Sequence, residues 1–156
     1  MSHTIYFVIF KLMHEELKLD NQLCFRLYTA SRLVTQAYRP LLEKLNITYP
    51  QYLVMMILWE KDNVCISAIT DRLMLETNTV TPLLKRMEEQ GLIQRLPNKN
   101  DARQKIISLT EKGKELQEQA VEVPACLVNS LLEKDINLQE LGTTVPILDK
   151  LIKSLQ

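Results

Sequence analysis

Glycine is scarce in this 156-residue chain, with only three, and proline is little commoner at six. That scarcity excludes collagen-like and low-complexity architectures. A hydrophobic share of 46% with 24% charged residues fits a globular, helix-leaning chain that can bury one core. Histidine is limited to His3 and His14, and the three cysteines, Cys24, Cys65 and Cys126, are widely scattered. Neither a disulfide framework nor a structural metal site can be assembled from so few ligands, so no metal and no cofactor is expected. The apolar run Ile5–Phe10 spans six residues, too few to cross a bilayer, and no small-residue cleavage pattern follows it. The expectation is a cytoplasmic chain without a membrane partner, in a reducing compartment where thiols stay free.

Net charge is also missing, because 19 basic residues balance 19 acidic ones. Its distribution is uneven, however. Between Arg72 and Lys105 seven cations (Arg72, Lys85, Arg86, Arg95, Lys99, Arg103, Lys105) face four acids, leaving the remainder acidic. A mildly basic surface is the implication.

Leu19, Leu23, Leu27, Ala30, Val34 and Tyr38 recur at helical spacing up to about Leu42. Thr48 followed by Gln51 reads as a capping box for a helix carrying Leu53, Met56, Ile57 and Trp59, which Asp62–Asn63 ends. Val64–Ile66 is short and strand-like, and Ser67 is placed to cap a helix through Leu73. Val80, Leu83, Leu84 and Met87 then form one apolar stripe, closed by Gly91 at the helix end. Pro82 requires that helix to begin near residues 77–79. Residues 92–96 and 105–109 predict a hairpin joined by the charged turn Pro97–Gln104. Thr110 caps a long helix that Pro124 bends or interrupts, and further helical pieces run to the end.

Helix, turn, helix and charged hairpin make a winged helix-turn-helix, a mainly α fold with a small β-hairpin wing (α+β). Such an arrangement suits double-stranded DNA. Thr77, Asn78, Thr79 and Thr81 would reach base edges in the major groove, and Lys85 or Arg86 would meet phosphate. Lys99 and Arg103 at the hairpin tip would touch the flanking backbone or minor groove. The residues alone equally allow an amphipathic helix beside a solvated hairpin, with Arg86 bracing the wing through Asp101.

The stretch LLKRMEEQGLIQRLPNKNDARQKIISLT, from Leu83 to Thr110, resembles the recognition helix and wing of the MarR family, down to Asp101-x-Arg103 and Ile107-x-Leu109-Thr110. LDNQLCFRLYTASRLVTQAYRPLLEKLNITYPQYLVMMILWE, from Leu19 to Glu60, resembles the organic hydroperoxide sensing branch of that family. The similarity runs to about Pro124 and is absent from the first fifteen or so residues. It implies a two-fold homodimer built from the N- and C-terminal helices, binding a pseudo-palindromic operator as a repressor and not acting as an enzyme. It implies a peroxide-reactive thiolate at Cys24, with Tyr28, Tyr38 and Tyr49 hydrogen-bonding to it, and a resolving role for Cys126. The implied organisation is an extension over 1–18, a dimerisation helix and linker over 19–48, the DNA-binding domain over 49–110 and dimerisation helices over 111–156.

Spacing adds one constraint. Tyr28 lies one helical turn after Cys24, but Tyr38 is fourteen residues on, about 21 Å along a continuous helix. Read without the resemblance, Cys24 is equally an inert small hydrophobe, and Tyr38, Tyr49 and Tyr52 are equally core side chains. Cys65 reads as a packing residue. Two other functions compete: a regulator released by a small phenolic or aromatic acid bound between its dimerisation and DNA-binding parts, and a thiol peroxidase. No Arg–Thr–Pro arrangement near Cys24 supports the latter.

Overall fold

Each helix of this chain begins or ends on an identifiable local device, and these devices set the architecture of the computed structural model. The structure describes residues 14–98, 104–134 and 136–156. Residues 1–37 and 38–156 form two compact units.

In the first unit, short 3-10 turns at Glu15–Leu17 and Leu19–Asn21 precede helix α1 (Leu23–Lys44), which continues into the second unit. None of its described residues in the first unit is buried.

In the second unit, Asn46 ends α1 in the left-handed region at φ 54°, and Ile47 N–H returns to the Leu42 carbonyl at 3.1 Å. A polar residue with a short side chain suits that position. Gln51 Oε1 then accepts the Thr48 N–H at 2.8 Å, closing the predicted capping box for α2 (Tyr49–Glu60). This helix is apolar nearly all round. Its buried residues are Gln51, Tyr52, Val54, Met55 and Leu58, while Met56 is exposed. With apolar side chains at almost every position, periodicity could not select the face.

Asp62 links distant segments: its Oδ1 accepts the N–H groups of Asn63 at 2.7 Å and Leu109 at 2.9 Å. Strand β1 (Val64–Cys65) passes directly into α3 (Ile66–Leu73), whose N-cap is Cys65 rather than the expected Ser67. α3 ends on Met74 at φ 54°, and the turn leads to α4 (Thr77–Glu89). Val80, Leu83, Leu84 and Met87 of α4 are all buried, as the stripe predicted. Gly91 at φ 71° terminates it, with Leu92 N–H on the Met87 carbonyl at 3.0 Å.

β2 (Ile93–Pro97) and β3 (Lys105–Leu109) form the expected hairpin, in register from Ile93↔Leu109 to Pro97↔Lys105. β1 also pairs antiparallel with β3, giving a three-stranded sheet in the order β1-β3-β2. Thr110 caps α5 (Glu111–Ala120) by accepting the Gly113 N–H at 3.1 Å, and its own hydroxyl donates to the Gly91 carbonyl at 2.6 Å. The interruption expected at Pro124 falls earlier, at residues 121–122. Pro124 itself lies in the first turn of α6 (Val123–Leu132), where its missing N–H costs nothing. Asn137 and Glu140 cap α7 (Leu138–Leu155) reciprocally at 2.9 Å. No residue of α7 is buried, although Leu138, Val145, Ile147, Ile152 and Leu155 are apolar. Among the described residues no helix is long and apolar enough to cross a membrane.

Candidate nucleic-acid interface and thiol site

The buried stripe of α4 forces its other face outward. Thr77, Asn78, Thr79, Thr81, Lys85 and Arg86 are all exposed along one helix. Thr79 Oγ1 lies 3.3 Å from Asn78 Oδ1, so the first turn presents a linked pair of polar side chains. Lys85 approaches Glu89 only to 3.9 Å, and both are largely exposed, a weak pair that leaves the ammonium accessible. Arg86 forms no ion pair among the described residues. Lys99 and Arg103, predicted for the hairpin tip, lie outside the described residues, as does Asp101.

The basic surplus counted from sequence is partly spent inside the molecule. Arg72 pairs with Glu60 at 2.8 Å, and Arg95 pairs with Glu88 at 2.6 Å. Neither pairing carried a sequence signal, since Glu60 and Arg72, like Glu88 and Arg95, belong to different elements.

An open cleft of about 650 Å³ borders α4. Pro50, Leu75 and Leu83 form its apolar wall, with Thr79, Arg86 and Gln51 among its polar groups.

All three cysteines are free thiols. Cys24 is exposed at the second residue of α1, in its first turn. Tyr28, one turn further, is also exposed. Cys126 is exposed on α6. Cys65 is only half-buried and does more than pack: its Sγ lies 3.0 Å from Ser67 Oγ at the start of α3. That hydrogen bond, followed by the Ala68 N–H, pulls its pKa below the ordinary thiol value against the opposing effect of burial.

The tyrosines predicted as thiol partners divide between the units. Tyr38 and Tyr49 meet in the second unit with ring centroids 5.0 Å apart, and Tyr52 stands 5.9 Å from Tyr38. Tyr52 in turn meets the edge of Trp59 at 6.2 Å. Burial, then the neighbouring Tyr49 phenol, raises the Tyr38 pKa, and burial raises that of Tyr52 in the same way. The Tyr38 phenol is thus held protonated, as a hydrogen-bond donor must be.

The MarR family model matches residues 47–105. The organic hydroperoxide resistance transcriptional regulator of Bacillus subtilis (strain 168) is 46% identical over 131 residues, covering 84% of this chain and 89% of that protein. Reduced AbfR bound to DNA, a solved structure of the Staphylococcus epidermidis protein, matches with a TM-score of 0.75 at 36% identity, over 92% of this chain and 96% of that one. Disulfide-formed AbfR matches at the same identity with a TM-score of 0.61, over 93% and 94%.

Proposed function

This chain belongs to the MarR family of transcriptional regulators and is not an enzyme, and from that premise we propose that it is a cytoplasmic, redox-sensing repressor. Two copies joined through their N- and C-terminal helices bind a pseudo-palindromic operator when reduced. The α4 helices enter the major groove, with Thr77, Asn78, Thr79 and Thr81 at base edges and Lys85 and Arg86 at phosphates. The unburied apolar residues of α7 supply the surface that dimerisation would cover.

Organic hydroperoxide is the effector. The Cys24 thiolate attacks the peroxide's terminal oxygen and the O–O bond breaks, giving a sulfenic acid and an alkoxide, which takes a proton from water to leave as the alcohol. The Cys126 thiol of the second copy then attacks the sulfenic sulfur, and water leaves as the disulfide forms. Two thiols are oxidised by two electrons and one hydroperoxide is reduced, which balances the step. The observation that carries this reading is the accessible Cys24 thiol in the first turn of α1. Resemblance to a hydroperoxide resistance regulator and to AbfR supports it. The test is duplex binding with and without cumene hydroperoxide, on wild type and Cys24→Ser. Release of wild type alone is expected, and equal release of both overturns the sensor assignment.

One observation favours a second reading. The cleft beside α4 combines an apolar wall with Arg86, which suits a small aromatic acid. Its lining residues fall between Thr48 and Gln90. Release by salicylate in the presence of excess reductant would select this reading.

A further inference from the structure

The outer edge of the sheet is closed by a side chain instead of a strand. β2 stands last in the order β1-β3-β2. Arg95, opposite Ile107 in the ladder, directs its backbone N–H to Glu88 Oε1 at 3.1 Å. An edge N–H of this kind is ordinarily left to water or to an incoming strand. Glu88 Oε2 meanwhile accepts Arg95 Nε at 2.7 Å and lies 2.6 Å from Nη2. One carboxylate therefore grips both the backbone and the guanidinium of a single strand residue, a geometry that fixes orientation as well as distance. Glu88 follows the buried Met87 in the last turn of α4, so its own anchorage is firm. The contrast lies one residue on, where the exposed Glu89 meets Lys85 at 3.9 Å and holds nothing in place.

We infer that Glu88 is a positioning residue for nucleic-acid binding, clamping the β2–β3 hairpin to α4 so that both reach a duplex as one body. The Arg95 charge is thereby consumed as a bracket and is not a phosphate ligand. Hydrogen bonds from the Arg95 side chain hold the Glu88 carboxyl below its ordinary range, which keeps the clamp ionised at neutral pH. This inference rests on the DNA-binding reading above and adds the residue that sets the angle between its two contacting elements.

The experiment uses reduced full-length protein and two duplexes. The first is a long duplex selected by wild type from a random pool, and the second is the same sequence trimmed to the half-sites facing α4. Glu88→Gln keeps the shape and removes the charge. It should weaken binding to the long duplex roughly tenfold and flatten the salt dependence by about one unit per subunit. Binding to the trimmed duplex should stay within about twofold, because α4 itself is undisturbed. The exchange E88R/R95E restores the ion pair without the backbone bond and should recover part of the lost affinity for the long duplex. Arg95→Ala should match Glu88→Gln. Proportional weakening on both duplexes with unchanged salt dependence would reduce Glu88 to a general stabiliser and overturn the inference. So would wild-type affinity of Glu88→Gln on the long duplex. If wild type enriches no duplex at all, the DNA-binding reading fails and takes this one with it.

Discussion

The Gln51 side-chain amide donates to Gln90 Oε1 at 2.6 Å, joining the first turn of α2 to the residue that caps the end of α4. Gln51 is only 4% exposed, so its amide has no water to fall back on. Gln90 is held again through its carbonyl, which accepts from Lys112 Nζ at 2.7 Å. The α4 terminus is thus fixed by side chains from two other helices. A double-mutant cycle of Gln51→Ala and Gln90→Ala, read by urea unfolding, should give a coupling of about 1 kcal/mol. Additive effects within about 0.3 kcal/mol would mean the contact contributes nothing beyond packing.

Gly113→Ala should destabilise the chain although it replaces a helical glycine. A Cβ there would stand 2.1 Å from the Leu92 carbonyl oxygen and 3.2 Å from Leu109 Cδ2. Backbone, not a flexible side chain, is the obstacle. The Gly113 carbonyl also accepts Trp59 Nε1–H at 2.9 Å, so displacing α5 strains a second contact. Alanine gains about 1 kcal/mol in helix propensity, against an overpacking cost of about 2–4 kcal/mol. A lower melting temperature is expected, and an unchanged or higher one would show that α5 can shift freely.

Under organic hydroperoxide a disulfide between subunits should join Cys24 to Cys126. Both thiols are exposed, whereas Cys65 is half-buried against Ser67. Non-reducing gels should show a cross-linked dimer that Cys126→Ser abolishes and Cys65→Ser spares. Persistence of the cross-link in Cys126→Ser would remove Cys126 from the scheme and make Cys65, with its lowered pKa, the thiol to examine.

Much of this arrangement was readable because it depends on local rules. The α4 stripe, Gly91 at its end, the hairpin and the Thr48 and Thr110 caps each require only a few adjacent residues. What escaped the sequence was long-range. Pairing of β1 with β3, Asp62 on Leu109, Glu88 on Arg95 and Gln51 on Gln90 join segments whose proximity only the folded chain creates. The buried face of α2 was not legible either, because a helix apolar on nearly every side carries no period. The availability of the basic surplus was hidden for a related reason, since the partners of Arg72 and Arg95 are set by the fold.

The last prediction concerns which chain's tyrosines serve which thiol. α1 runs without interruption from Leu23 to Lys44. Fourteen residues of continuous helix amount to about 21 Å of rise, the spacing that the sequence sets between Cys24 and Tyr38. Tyr38 stacks near Tyr49 with centroids 5.0 Å apart, so the two phenols act from one place. A second copy can bring that pair to a thiol that helix geometry keeps from its own Tyr38. Burial keeps the Tyr38 proton in place, so this phenol is a donor to sulfur, and a donor stabilises thiolate. Phenylalanine at 38 or 49 should therefore slow Cys24 alkylation while leaving reduced duplex binding nearly intact. Mixed dimers separate the two arrangements. One chain carries Cys24→Ser, and the other carries Tyr38→Phe with Tyr49→Phe. The only remaining Cys24 then sits on the chain without the two phenols and faces the intact pair of its neighbour. Near wild-type alkylation rates are expected. Rates as slow as in the homodimer lacking all four phenols would show that each thiol relies on its own chain, and the helix argument would fall.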